Sequence, residues 1–172
     1  MLWLGRAAVL FLALATPAEA FEAKFLMAST VDLANPHDVK LSIDDRWLFV
    51  SDVDNGWVAI LDAKSLSLVG QYGADHWNST HDLDIGEDGR LYVADNNNHR
   101  VGVYELTGTK AEFVGELSER IRKPEGVLAG PGGRTYVTGA GSDNPVVYVN
   151  GKDHAGNGRL FSPARHRVHA KW

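Results

Sequence analysis

Apolar residues fall at every second position in Asp38–Ile43, at Val39, Leu41 and Ile43. This is the period of a strand with one buried face. After the turn residues Asp44-Asp45 come Trp47–Val50 and Trp57–Leu61, rich in aromatic and β-branched residues that suit a pleated surface, and then Leu66–Tyr72. The succession returns at Asp84–Gly86 (more weakly), Leu91–Ala94, Val101–Leu106 and Ala111–Leu117, and again at Thr135–Thr138 and Val146–Val149. Asp88-Gly89, Gly132-Gly133 and Asp54-Asn55-Gly56 stand between these runs, and Gly permits the positive φ of tight turns. No clear fourth strand marks the third succession, and Ser118–Lys123 reads as one polar turn. The pattern therefore predicts an all-β chain of short antiparallel strands.

The succession is a repeat. His37-Asp38-Val39, His81-Asp82-Leu83 and Glu125-Gly126-Val127 follow at intervals of 44 residues. A unit of about 40–45 residues with four antiparallel strands has the size of one β-propeller blade, which must stack on neighbours to bury its faces. A β-sandwich is the alternative, but it needs no such repeat. The predicted organisation is an N-terminal strand segment at 21–34, in which Phe25–Ser29 would supply one strand to a partner blade. Blades follow at 35–78 and 79–122, then an incomplete blade at 123–163 and a basic tail at 164–172.

Gly89-Arg90-Leu91-Tyr92-Val93-Ala94-Asp95 followed by Asn98-His99-Arg100-Val101 resembles an NHL repeat. That resemblance spans Asn35–Asn150 and implies a β-propeller, usually of six blades. Trp57 replaces the arginine in the first unit, and Gly139 replaces the aspartate in the third. Asn35-Pro36-His37-Asp38 and Thr80-His81-Asp82 further resemble the peptidyl-α-hydroxyglycine α-amidating lyase branch. There, histidines at the start of inner strands face the central channel and hold zinc. The resemblance carries that role to His37 and His81; Glu125 stands in place of a third histidine. The catalytic arginine and tyrosine of that branch have no counterpart placed on this chain.

Three blades are too few to close a ring. Two expectations follow: a gene product truncated or frameshifted near the 150s to 160s, or a homodimer completing a six-bladed ring.

Composition narrows the function classes. The 172 residues are 44% hydrophobic with a net charge of −5 and no Cys. Thiol catalysis and Cys-ligated metals are excluded, and a bulk-charge grip on nucleic acid is not expected. Met1–Arg6, the apolar Ala7–Ala15 and Ala18-Glu19-Ala20 form the three-part pattern of a secretory signal over 1–20. The apolar run is too short to span a bilayer. The expected location is secreted or periplasmic, with no membrane span. The chain end, Gly151–Trp172, carries Lys152, Arg159, Arg165, Arg167 and Lys171 against Asp153, a break in composition.

The candidate metal ligands are His37, His81 and Glu125. Two imidazoles and a carboxylate would suit zinc or another divalent ion with open positions. The alternative is structural: His-Asp simply begins each inner strand and bonds neighbouring backbone. Asp38 and Asp82 are expected to make inter-blade hydrogen bonds, Asp52 and Asp95 to bond turn amides, and Arg100 to bridge blades. Phe49, Tyr92 and Tyr136 are expected in the inter-blade core, and His76-Trp77 in a solvated loop or at a channel mouth. Asp52-Val53-Asp54-Asn55-Gly56 lacks the downstream Glu of a calcium loop. Two functions remain open. One is a binding scaffold for a protein or small-molecule ligand; the other is a metal-dependent lyase or hydrolase with a central-channel His site.

Overall fold

The computed structural model describes residues 22–73, 76–143 and 145–149. The expected leader at 1–20, residues 150–163 of the third blade and the basic tail lie outside the described residues.

Eleven strands are present among the described residues. β1 (Pro36–Leu41), β2 (Trp47–Asp52), β3 (Trp57–Asp62) and β4 (Leu68–Tyr72) form the first sheet in sequence order. β5 (Thr80–Ile85), β6 (Arg90–Asp95), β7 (Arg100–Thr107) and β8 (Lys110–Leu117) form the second. β9 (Pro124–Gly130), β10 (Arg134–Gly139) and β11 (Val146–Val149) form the third, with a 3-10 turn at Pro131–Gly133 between the first two. Every pairing is antiparallel between sequence neighbours, so each sheet is a meander. The first strands lie side by side, β1 on β5 and β5 on β9. Among the described residues no helix is long and apolar enough to cross a membrane.

Period-two alternation separates the two faces of each sheet. Val58 and Ile60 turn with Phe49 toward the second sheet, where they meet Leu83, Leu91, Val93, Trp77 and Tyr104. Tyr92, Ala94, Val101 and Val103 turn the other way and pack on Val127, Val137 and Tyr148. On the far side of the first sheet, Val50, Ala59 and Leu61 are covered only by Leu48 and by Val31 and Leu33 of the N-terminal segment.

Three expectations need correction. β1 ends at Leu41, because the Ser42 amide bonds Trp47 O at 2.8 Å and its hydroxyl accepts the Arg46 and Trp47 amides. Ile43 is therefore an exposed turn residue. Phe25–Ser29 is no strand; it runs without a ladder partner, and Phe25 and Leu26 are exposed. Tyr136 is 40% exposed, because no described blade covers the face on which its counterparts Phe49 and Tyr92 are buried.

Candidate functional site

Each sheet carries one extra residue at the same place. The register slips between Pro36 and Val39 against β2, between Thr80 and Leu83 against β6, and between Pro124 and Gly126 against β10. These are β-bulges, which re-aim side chains and open the ladder locally. The bulged residues are His37-Asp38, His81-Asp82 and Glu125. All three expected site residues thus sit on irregular backbone at repeat-equivalent positions of adjoining strands.

The bulges bring the two imidazoles together. Their ring centroids lie 4.8 Å apart, inclined at 61°. His37 Nδ1 is 2.9 Å from the His81 carbonyl oxygen. A carbonyl only accepts, so Nδ1 carries a proton and donates it. The same carbonyl accepts the Ser51 hydroxyl at 3.0 Å, and Ser51 Oγ accepts the Asp38 amide at 2.9 Å. Burial and the neighbouring His37 hold the His81 pKa below the ordinary imidazole value, against an opposing pull from Glu125. A neutral imidazole is the ligating form. Glu125 is exposed and near enough to act on His81 electrostatically. No three His, Asp or Glu side chains among the described residues form a group arranged to hold a metal ion.

The aspartates of the bulges hold the blades to one another. Asp38 accepts the Leu83 amide at 3.3 Å, and Asp82 accepts the Val127 amide at 2.6 Å. Asp84, two positions on, accepts the Ala129 amide at 2.7 Å and pairs with Lys40 of the first sheet. Burial and the neighbouring Asp38 push the Asp82 pKa up to about 7. Repetition alone did not mark Asp84, Lys40 or Ser51. At 44-residue spacing Asp84 aligns with Lys40 and Leu128, which hides its role.

Asp52 and Asp95 are wholly buried. Asp52 accepts the amides of Ala34 (3.0 Å) and Asn35 (2.9 Å), Asn55 Nδ2 (2.8 Å) and Trp57 Nε1 (3.1 Å). Burial alone would raise its pKa, but these donors outweigh it and hold the carboxyl low. Protein donors already occupy both oxygens, three on Oδ2 and one on Oδ1. Asp95 accepts the Asn78 amide (2.7 Å), Asn98 Nδ2 (2.8 Å) and Arg100 Nε (2.9 Å). Arg100 completes its bonding with Glu116 at 3.0 Å and His76 O at 3.0 Å. Its carboxylate partners Asp95 and Glu116 belong to its own sheet, and its bond to His76 O reaches the loop that leads from the first blade into the second. Trp57 replaces the arginine functionally as well as by position. In the third sheet Gly139 stands in the aspartate position, and Ser142 Oγ accepts the Arg122 amide at 2.6 Å instead.

Trp77 is buried, donating from Nε1 to the Tyr104 hydroxyl, while His76 is exposed. The pair lies beside a cleft of about 1010 Å³ that Tyr72, Arg100, Tyr104 and Phe113 also line. Thr80 of the Asn78-Ser79-Thr80 sequon is buried, donating to Asp52 O and Trp57 O.

Residues 78–104, from the loop before β5 into β7, match the NHL repeat. That stretch of the second sheet is similar to an NHL repeat. The sheet stack as a whole is similar to solved β-propellers. The Kuenenia stuttgartiensis hydrazine synthase structure shares 22% identity, with a TM-score of 0.57 over 73% of this chain and 35% of that one. A Pseudomonas aeruginosa periplasmic gluconolactonase shares 16%, with a TM-score of 0.60 over 74% and 39%. A virginiamycin B lyase from Staphylococcus aureus with quinupristin shares 16%, with a TM-score of 0.54 over 69% and 38%. The chain therefore spans well under half the length of these structures. No curated protein sequence matches it. These likenesses carry the fold: an NHL-type partial propeller whose described part holds three blades.

Proposed function

We propose that the chain is an exported propeller module that binds its ligand or partner at the bulged edge of the inner strands. One observation carries this reading. Three bulges in three consecutive blades carry His37, His81 and Glu125 at repeat-equivalent positions, with the two imidazoles apposed. Bulges recur where a sheet must present side chains rather than pair them. The carboxylate-to-amide bonds behind them make the edge a rigid platform, and rigid elements position binding groups well. Export rests on the leader-like pattern of residues 1–20. A photo-reactive residue at position 125 tests the reading. It should capture a molecule from the exported fraction that the same residue at position 64, in the β3–β4 hairpin, does not. Equal capture at both positions, or none, overturns it.

The apposed imidazoles favour a second reading, a metal-dependent lyase or hydrolase. His37 and His81 fit two ligand positions, and Glu125 is the available third, although the described geometry does not gather the three. Zinc held there would polarise a substrate carbonyl or activate water. Metal analysis of the folded protein separates the readings. Stoichiometric zinc that is lost in His81→Ala supports the enzyme, and metal-free protein that takes up no zinc supports the module.

A further inference from the structure

Two glycines set the junction of the first two blades apart from the next one. Gly73 and Gly102 stand 44 residues before Leu117 and Val146. Between the second and third blades, Leu117 is buried with Ile121 and Tyr148, and Val146 packs against that cluster. Between the first and second blades, aromatic rings take the room that those aliphatic side chains fill. A Cβ at Gly73 would lie 2.1 Å from Trp77 Cε3, and one at Gly102 would lie 2.7 Å from Tyr104 Cε2. Gly102 lies within β7, where glycine marks such a close approach. Trp77 and Tyr104 meet edge to face with centroids 5.1 Å apart, and Phe113 continues the row 5.5 Å from Tyr104.

These rings wall the cleft of about 1010 Å³ between the two blades, a volume at the upper end of small-molecule sites. The walls are tied across the junction. The Tyr72 hydroxyl donates to Thr109 O in the β7–β8 turn, Trp77 Nε1 donates to the Tyr104 hydroxyl, and Arg100 Nη2 donates to His76 O at 3.0 Å. The cleft is built by two consecutive blades, so it does not depend on what lies beyond either end of the stack.

Its charge selects among ligands. Arg100 is the cation of the cleft, and the buried Asp95 already answers that charge at 2.9 Å. Glu112 and Glu116 both line the cleft. Glu116 meets Arg100 at 3.0 Å, whereas Glu112 is exposed and has no cationic partner among the described residues. Negative charge is therefore in excess. Phe113 is 51% exposed, and the Arg100 guanidinium lies 5.9 Å from its centroid. The ring faces one cation and has surface left for another, since the aromatic quadrupole attracts positive charge.

We propose that this cleft binds an amphipathic organic cation, a flat aromatic body that carries an ammonium group. The aromatic body seats against Phe113 and Tyr72, and the ammonium pairs with Glu112 and Glu116. A neutral aromatic molecule gains the ring contacts alone, and an anion meets two carboxylates whose repulsion Arg100 does not offset. The cleft is built on β4, β7 and β8, whereas the bulges lie on β1, β5 and β9. This site and capture at position 125 therefore succeed or fail separately.

Calorimetric titration of the full chain with tryptamine, tryptophol and indoleacetate tests it, because the three place a cation, a neutral group and an anion on one ring system. Tryptamine should bind about tenfold tighter than tryptophol at low salt, with indoleacetate weakest, and added salt should narrow the gap. Glu112→Gln, at an exposed site, should cut the preference for tryptamine about threefold, and Glu116→Gln added to it should abolish the preference while tryptophol binds as before. Phe113→Leu, also at an exposed site, should weaken tryptamine and tryptophol together. No saturable binding of tryptamine, equal binding of the three molecules, or a preference for the anion overturns the site. So does a preference that survives both glutamine substitutions, or tryptamine binding unchanged in Phe113→Leu.

Discussion

Asp38 and Asp82 converge on one main-chain amide at the junction of the first two blades: Leu83 N donates to Asp38 at 3.3 Å and to Asp82 at 2.9 Å. The other oxygen of Asp82 accepts the Val127 amide at 2.6 Å. The protonation of a single pair therefore bears on three blades at once.

The pH dependence follows in sign. Burial and Asp38 raise the folded pKa of Asp82 from 3.8 to about 7. The folded state therefore holds a proton that the unfolded chain releases above pH 4. The stability contribution is complete below about pH 4 and is lost as pH rises through 7. Partial exposure screens the effect to about 1–2 kcal/mol. Asp82→Asn carries no titrating charge, and its carbonyl oxygen can still accept the Val127 amide. Urea midpoints measured from pH 4.5 to 8 should flatten in the variant, which should match or exceed wild type at pH 8.

Consensus engineering of the third blade should fail at one position. Gly139 occupies the place of Asp52 and Asp95, so the repeat recommends Gly139→Asp. A Cβ there would lie 2.5 Å from Arg122 O and 3.0 Å from Ile121 Cδ1. The nearest atom is backbone and cannot step aside. Overpacking should cost about 1–3 kcal/mol, read as a lower melting temperature. Asp95→Ala at the equivalent site of the second blade should cost about 1–3 kcal/mol, because the Asn78 amide loses its acceptor while Arg100 keeps Glu116 and His76 O.

Repeat-equivalent aromatics should differ sharply under truncation. Phe49→Ala opens a cavity between the first two blades and should cost about 3–5 kcal/mol. Tyr136→Ala should cost under about 1 kcal/mol, since the ring has little packing to lose. Chemical denaturation compares them directly.

His81 should titrate below its ordinary value of 6.5, because burial and His37 both oppose its charge. His37→Ala should raise that pKa. Glu125→Gln should lower it further, since the carboxylate favours the imidazolium. Imidazole resonances followed by NMR from pH 4.5 to 8 read all three. A shift in the wrong direction for Glu125→Gln would place that side chain away from His81.

The stacking was legible because burial repeats: Val58 and Ile60 against Ala59 and Leu61 can be sorted into faces from alternation alone. The apposition of His37 and His81 accords with their repeat-equivalent positions. The bulges were not legible. A one-residue excess leaves no compositional mark, and His37 and Asp38 read as ordinary alternating strand residues. The partners of Arg100 were hidden too, since spacing says which residues correspond but not whether a long side chain folds back or reaches across. Tyr136 was misjudged because a repeat describes internal members, and its burial depends on a neighbour that the described residues do not contain.

The buried Asp52 and Asp95 behave as sockets that accept unlike plugs. One takes an indole N–H from Trp57 and the other a guanidinium from Arg100, each five residues downstream and each beside an Asn three residues downstream. Net charge at the plug is thus optional while the acceptor is not. Surface charge around the rim can drift or be redesigned blade by blade, with solubility and partner electrostatics tuned independently of the fold.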